Sequence, residues 1–165
     1  MKVSKNNIVE IDFSDACAMY PIRKKDAHKN NAGHALLIAG SRRMPGAAAI
    51  ASNSALRSGV GLLTACFPES AYPAITSHLV EGMMLPVHET EKGFISKEAL
   101  PEILDFIKKV DVVAIGPGLG SGEDTEFILD SLLENLEVPL IIESDGLNAL
   151  SKNVDLLTKA KGPVI

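Results

Sequence analysis

The fold is decided by residues 34–65, HALLIAGSRRMPGAAAIASNSALRSGVGLLTA. This stretch opens with an uninterrupted apolar run at 35–39, which is too short for a helix and predicts a strand buried on both faces of a parallel sheet. From Pro45 onward we predict a helix, because proline is tolerated at the first helical position. Two glycines end that helix, and residues 62–66 predict a second strand. The stretch is therefore expected to form one strand–helix–strand unit.

The predicted helix carries a stripe of mostly small residues at helical spacing. We expect this stripe to face the sheet, because small side chains let a helix lie close to its neighbours. The stripe consists of Ala47, Ile50, Ala51, Ser54, Ala55 and Ser58.

The loop between the predicted strand and helix, residues 40–46 (the Gly40 loop), has features of an anion site. Its glycines allow close backbone approach, the helix start exposes unpaired N–H groups, and its only charges are Arg42 and Arg43. Open α/β sheets bind ligands at the carboxyl ends of their strands. The glycine spacing matches neither the Walker loop nor the dinucleotide fingerprint. On the glycines alone, a plain tight turn is as well supported as an anion site.

The composition predicts one domain with an aliphatic core. The 165 residues are 46% hydrophobic but only 4% aromatic, and the net charge of −5 offers no general attraction to nucleic acid or to an anionic membrane. No signal peptide or apolar run of transmembrane length is visible. The cysteines, Cys17 and Cys66, and the four histidines form no disulfide framework or zinc pattern, so we predict a cytoplasmic protein without a metal site.

A second glycine-rich loop follows the apolar run 110–115, which predicts another strand. This loop, residues 116–120 (the Gly116 loop), reads Gly-Pro-Gly-Leu-Gly and presents a surface without bulky side chains. Behind it, Ser121 and Asp124 have capping-box spacing, and Glu123 adds a further acid, so the next helix start is expected to repel a phosphate. We therefore assign any phosphate to the Gly40 loop, and packing or hydrogen bonding to the Gly116 loop.

Residues 138–142 predict a further buried strand, which ends in Glu143-Ser144-Asp145-Gly146. Two carboxylates at a strand end could bind a hydroxyl, a metal or a proton. Alternatively, Asp145 caps the short helix predicted at 147–150, and from spacing alone we favour the cap.

Shorter patterns predict the remaining elements. Residues 1–22 are interpreted as an N-terminal lead-in and residues 23–165 as the domain, with the basic cluster 23–29 as a solvated approach to the first strand. We predict helices at 12–19, 69–79, 96–109 and 155–161, an extended piece at 81–86, and the start of a strand at 162–165.

Three motifs in order carry a resemblance to a known family: IAGSRRMPGAAAIASNSALRSGVGLL, VVAIGPGLG and PLIIESDGLNAL. Together they resemble the NAD(P)H-hydrate dehydratase family, and the resemblance extends from about Lys24 to Ile165. It implies a ribokinase-like α/β fold, with a doubly wound, mostly parallel sheet and helices on both faces. It also implies that residues 23–165 are the N-terminal portion of a domain truncated at its C-terminal side.

The resemblance further implies a reaction and its participants. ADP or ATP, with magnesium, would phosphorylate the hydroxyl of hydrated NADH or NADPH, and elimination would restore the dihydropyridine ring. A homotetramer is implied, and neither nucleic acid nor a membrane is an expected partner. The residues expected to bind the substrate are Gly40, Ser41, Gly46, Ala47, Gly116, Gly118, Gly120 and Asp145, with no catalytic residue and no metal ligand assigned.

Two departures from the family pattern stand out. Glu143-Ser144-Asp145 occupies the place of the family's Asp-Ala-Asp, and residues 1–165 contain neither its TPHPGE segment nor its catalytic GTGD loop. We therefore expect the chain to be inactive by itself. The alternatives are a non-catalytic dinucleotide-binding or assembly module of the same fold and a related small-molecule kinase, for a hydroxyethylthiazole or a sugar.

Overall fold

The computed structural model describes residues 2–3, 9–20, 22, 25–26 and 28–165. The strands are β1 Lys2–Val3, β2 Val9–Glu10, β3 His34–Ile38, β4 Leu62–Pro68, β5 Met83–Val87, β6 Val112–Ile115 and β7 Leu140–Ile142. The α-helices are α1 Phe13–Met19, α2 Pro45–Ser58, α3 Tyr72–Thr76, α4 Leu100–Ile107, α5 Glu123–Asn135 and α6 Asp145–Leu150. Short 3-10 helices cover Lys29–Ala32, Glu69–Ala71, Lys97–Ala99 and Val154–Lys159.

A five-stranded parallel sheet organises the described chain, in the order β5-β4-β3-β6-β7. Ile38 at the end of β3 is in register with Cys66 on β4 and with Ile115 on β6. Ile115 is in turn in register with Ile142 on β7. The loops that follow β3, β6 and β7 therefore emerge at the same edge of the sheet.

Helices cover both faces of the sheet. One core, which includes Leu37, Ala65 and Phe67, is packed under α2 and α3. The other includes Leu36, Ile38 and Ile115 and extends into α4, α5 and α6. Because β3 contributes buried side chains to both cores, the prediction of a strand covered on both faces is confirmed, as is the doubly wound α/β architecture.

The predicted buried face of α2 is partly wrong, although Ala51 and Ala55 of the predicted stripe are half-buried against the core as expected. The fully buried residues of this helix are Ala48, Ala49 and Ser52, whereas Ile50 is 71% exposed. Ala48 packs so closely against Gly40 that a Cβ added to Gly40 would lie 2.9 Å from the Cβ of Ala48. Eight of the fourteen residues of the helix are alanine or serine, so the sequence contains little contrast between faces, and the large apolar residue Ile50 misleads the pattern.

Other predicted elements agree in position and differ in extent. The helix predicted at 12–19 is α1, which a capping box between Asp12 and Asp15 begins. The predictions at 69–79 and 96–109 each resolve into a 3-10 turn followed by a shorter α-helix with proline in its first turn. The helix predicted at 155–161 is the 3-10 helix Val154–Lys159.

Two extended pieces also correspond to predictions. The piece predicted at 81–86 is β5, paired in parallel with β4. The strand start predicted at 162–165 pairs with β7 through the parallel bridge of Leu140 with Val164. Arg23 and Lys24 of the basic cluster lie outside the described residues, and the domain boundary near residue 22 stays a prediction.

Candidate binding site at the carboxyl edge of the sheet

The Gly40 and Gly116 loops lie against each other. The N–H of Gly40 donates to the carbonyl oxygen of Pro117 at 2.7 Å. Gly118 has a φ of +66° and approaches Ala47 so closely that a Cβ there would come within 2.6 Å of the Ala47 Cβ. A side chain at Gly118 would thus be strained in its backbone and would also collide with α2.

The turn after β7 completes this arrangement. A Cβ on Gly116 would lie 1.7 Å from the carbonyl oxygen of Glu143, so only glycine fits between the two turns. The N–H of Glu143 donates to the carbonyl oxygen of Ile115 at 3.0 Å. Loops from three neighbouring strands therefore form one continuous surface.

An open cleft of about 670 Å³ lies on this surface. Its lining comes from the Gly40 loop and the start of α2, from Gly118, and from the turn into α6: Arg43, Met44, Pro45, Gly46, Ala47, Ile50, Gly118, Ser144, Asp145 and Asn148. The α2 wall is largely apolar, and the α6 wall carries a hydroxyl, a carboxylate and an amide. Such a cleft suits a ligand with a flat ring and several polar groups.

The predicted site residues divide into two groups. Gly46, Ala47, Gly118 and Asp145 line the cleft. The other four lie behind its walls and are buried: Gly40, Ser41, Gly116 and Gly120. The second group shapes the loops, and its members do not reach the cleft themselves. Sequence reasoning missed Ser144 and Asn148, which carried no signal beyond their nearness to Asp145.

Asp145 does not cap a helix, and that prediction is wrong. Helix α6 begins at Asp145 itself. The Asp145 carboxylate accepts hydrogen bonds from the N–H of Gly120 at 2.8 Å and from the Asn148 amide at 3.2 Å. The partner in the Gly116 loop is 25 residues away in sequence. The carboxylate therefore joins the α6 wall of the cleft to the Gly116 loop.

Ser144 has a strained backbone. With φ +45°, it is the one non-glycine residue in the described part of the chain with a positive φ. Its hydroxyl donates to the Glu143 carboxylate at 2.6 Å. Such strain persists only where neighbouring structure holds it, and here the tight contact between Gly116 and Glu143 does so.

The helix starts that follow the Gly40 loop and the Gly116 loop differ in charge. Helix α2 has no side-chain cap and no acid in its first turn, and Gly46 faces open space. Helix α5 has Glu123, Asp124 and Glu126 in its first turn. Only the α2 start is therefore suited to an anion.

The predicted capping box at the start of α5 is wrong. Gly122 is the N-cap residue, and no side chain bonds to the helix start. The Asp124 carboxylate instead accepts from the N–H of Lys97 at 2.9 Å, because the 3-10 helix Lys97–Ala99, which leads into α4, lies against α5. The acidic character of this helix start is nevertheless as expected.

Arg42 serves the structure of the Gly40 loop and is not available to an anion. Its guanidinium pairs with Glu89 and donates to the Ser70 hydroxyl at 3.1 Å and to the Glu91 carbonyl oxygen at 3.0 Å. Partial burial raises the pKa of the Glu89 carboxyl, but hydrogen bonds from Ser70 and Arg42 outweigh burial, so this pKa lies below its ordinary value.

Arg43 is different, because it is exposed and has no ion pair or hydrogen bond to any residue that the structure describes. The cation that remains available at the Gly40 loop is therefore Arg43.

The described residues contain no group of three or more His, Cys, Asp or Glu side chains that could hold a metal. Cys66 is fully buried in β4, and this burial, with a smaller contribution from Glu102, raises the pKa of its thiol and leaves it unreactive. Among the described helices, none combines the length and apolarity needed to cross a membrane.

Comparison with known proteins places the chain in a family. The family model for NAD(P)H-hydrate dehydratase matches residues 35–165. A bifunctional NAD(P)H-hydrate repair enzyme of Moorella thermoacetica is 35% identical over 145 residues, which are 88% of this chain and 27% of that protein. An ADP-dependent (S)-NAD(P)H-hydrate dehydratase of Lactiplantibacillus plantarum is 31% identical over 79% of this chain and 44% of its own length.

Solved structures of related proteins have a similar fold. An ADP/ATP-dependent NAD(P)H-hydrate dehydratase from Bacillus subtilis, co-crystallised with ATP and Mg²⁺, matches with a TM-score of 0.67 and 31% identity. A ribokinase-like superfamily protein from Enterococcus faecalis matches with a TM-score of 0.68 and 25% identity. Each match covers 81% of this chain and less than half of the solved chain. The chain thus spans between about a quarter and a half of these relatives, has their ribokinase-like fold, and belongs to the NAD(P)H-hydrate dehydratase family.

Proposed function

We propose that the cleft binds hydrated NADH or NADPH, and that these residues form the substrate-binding part of an ADP/ATP-dependent NAD(P)H-hydrate dehydratase. The observation that carries this proposal is the convergence of Gly46, Ala47, Gly118 and Asp145 on one cleft at the carboxyl edge of the sheet. Ligands of open α/β sheets bind at this edge.

Each wall of the cleft has a role in this proposal. The uncapped start of α2, with open space at Gly46, offers N–H groups to the substrate's pyrophosphate. Ala47 and Ile50 provide an apolar surface for the hydrated ring. Asp145 and Asn148 present a carboxylate and an amide for its polar groups. Binding on these walls would orient the ring hydroxyl.

Phosphoryl transfer is assigned to no residue of this chain. The family's GTGD segment has no counterpart within residues 1–165. The described residues also offer no cluster that fits a magnesium ion, so we derive no step through that ion. We expect substrate binding by these residues, and turnover only when a segment with the catalytic loop is also present.

The direct test is to titrate the 165-residue chain with hydrated NADH and then to add ADP or ATP. We expect saturable binding and no recovery of NADH absorbance. Recovery of absorbance would contradict the assignment of turnover to a separate segment. Absence of binding would overturn the proposal itself. A kinase of the same fold would instead consume the nucleotide with a sugar or thiazole alcohol.

We also propose that the chain associates into a homo-oligomer, a tetramer by family resemblance. The turn after α3 and helix α5 expose the apolar side chains Val80 and Phe127, which lie outside the cleft. Light scattering would measure the mass in solution, and a monomer at micromolar concentration would contradict this proposal.

A further inference from the structure

A second cleft adjoins the first and shares Arg43 with it. It occupies about 530 Å³ between the Gly40 loop and a hairpin at residues 89–95, which the antiparallel bridge of Glu89 with Ile95 closes. We call it the Arg43 cleft, and its lining residues are Arg42, Arg43, Glu91, Lys92 and Phe94. A ligand bound in the first cleft can therefore extend past Arg43 into this one.

The hairpin is held firmly in place. The N–H of Arg42 donates to the carbonyl oxygen of Gly93 at 2.9 Å, and a Cβ on Gly93 would come within 2.4 Å of the Arg42 Cβ. On the other side, the Phe94 ring packs against Gly120, where a Cβ would come within 2.3 Å of the ring. The Arg43 cleft is therefore formed before any ligand arrives, which lowers the cost of ordering its walls.

The charges in this cleft favour an anion. Glu89 neutralises Arg42, and Arg43 with Lys92 leaves one positive charge in excess over Glu91. Both Arg43 and Lys92 are exposed, and neither has an ion pair or hydrogen bond with a residue in the described part of the chain.

A second depression, which shares Phe94 with the Arg43 cleft, is acidic. It is lined by Glu123 and Asp124 as well as by Glu91 and Lys92. In a chain with a net charge of −5, the positive charge of the Arg43 cleft is thus a local exception. Two free cations beside a half-buried aromatic ring suit a nucleoside phosphate, because the ring can contact the base while the cations bind phosphate oxygens.

We propose that the Arg43 cleft binds the 2′-phosphate of the dinucleotide, and thereby favours hydrated NADPH over hydrated NADH. This inference rests on the proposed function, since it extends a substrate already seated in the first cleft. Because the pyrophosphate is assigned to the start of α2, the 2′-phosphate on the adenosine ribose is the phosphate group of hydrated NADPH that still needs a binding site. Arg43 and Lys92 would bind its oxygens.

The test compares ADP-ribose with 2′-phospho-ADP-ribose by calorimetric titration of the full chain. We expect the 2′-phosphorylated ligand to bind about tenfold more tightly, as a charge-assisted hydrogen bond would produce. Arg43→Met and Lys92→Met are each expected to reduce this ratio, and the double variant to bring it close to one. Both side chains are exposed, and circular dichroism checks that each variant is folded.

Arg57→Met is the matched control, because Arg57 is an exposed arginine in the last turn of α2, at the opposite end of that helix from the cleft. It should leave the ratio as in the wild type. Three results would overturn the inference while the proposed function stands. The first is a wild-type affinity ratio of one, and the second is a ratio that Arg43→Met and Lys92→Met leave unchanged. The third is an equal loss of affinity for both ligands in these variants. If neither ligand binds, titration with hydrated NADPH separates the two claims: binding of hydrated NADPH would overturn the inference alone, and absence of that binding would overturn the proposed function together with it.

Discussion

The Gly40 loop and the Gly116 loop both follow a buried strand of the same sheet, yet the helices that they lead into begin in opposite ways. Helix α2 starts without a cap or an acid and has open space at Gly46, whereas three acids occupy the first turn of α5. One loop is therefore suited to an anion, and the other is held in place by Asp145. A glycine-rich turn after a strand indicates that another group can come close to the backbone there. The charges around the turn decide whether that group is an anion or a neighbouring segment of the chain.

Breaking the Gly116 loop should have the largest effect. Gly116→Ala places a Cβ 1.7 Å from the carbonyl oxygen of Glu143 at φ +142°, so we expect a loss of about 4 kcal/mol or more in the free energy of unfolding. Urea unfolding measures this loss. Gly122→Ala is the control, because a Cβ there meets nothing within 4 Å, and it should cost only about 1 kcal/mol or less, since alanine is a weaker N-cap residue than glycine. Similar stabilities for the two variants would show that the contact between the turns is unimportant.

Removing the carboxylate that joins the loops should have the next largest effect. Asp145→Ala leaves the N–H of Gly120 without its acceptor, and we expect a cost of about 2 kcal/mol together with weaker substrate binding. Asp145→Asn keeps an acceptor oxygen and should recover part of the stability. If the alanine variant is as stable as the wild type, the bond to Gly120 does not hold the loop.

The two arginines of the Gly40 loop should separate stability from binding. Arg42→Met is expected to cost about 1–2 kcal/mol at neutral pH, because it removes the hydrogen bonds that hold the hairpin, whereas Arg43→Met should leave stability unchanged. Thermal unfolding of both variants measures the difference. Equal stabilities would contradict the division of roles.

The cost of Arg42→Met should also depend on pH. The pKa of the Glu89 carboxyl is lower in the folded protein than its ordinary value of 4.5, so its ionised form stabilises the fold above that pH. This contribution is lost as the pH falls through the folded pKa. The stability difference between wild type and Arg42→Met should therefore shrink in acid, and a difference that grows there would contradict the assignment.

The smallest effect is expected at the turn after β7. Ser144→Gly relieves the positive φ and should raise the free energy of unfolding by about 1 kcal/mol. Ser144→Ala removes the hydrogen bond to Glu143 without relieving the backbone and should not stabilise the protein. Urea unfolding of both variants distinguishes these effects. A glycine variant less stable than the wild type would show that the backbone is not strained.

Local sequence signals predict the frame of this molecule and most of its loops. The strand at 35–39 and the helix from Pro45 are predictable because an apolar run, a glycine and a proline act on their immediate neighbours. The same signals place four of the eight proposed binding residues on the cleft.

What sequence could not predict depends on distant partners. Asp145 bonds to Gly120 and Arg42 pairs with Glu89, and the second pair is 47 residues apart. The capping box at α5 is wrong because Asp124 bonds to the N–H of Lys97 instead. The orientation of α2 is unpredictable for another reason, since eight of its fourteen residues are alanine or serine and provide little contrast between its faces.

The central claim is that hydrated dinucleotide occupies the cleft between these loops. The most direct measurement is the dissociation constant of hydrated NADPH for the wild type, for Ala47→Leu, which fills the cleft, and for Ser54→Leu. Ser54 is exposed and lies two turns further along the same helix, outside the cleft. We expect Ala47→Leu to weaken binding by about tenfold or more and Ser54→Leu to leave it unchanged. Equal affinities for wild type and Ala47→Leu would contradict the claim.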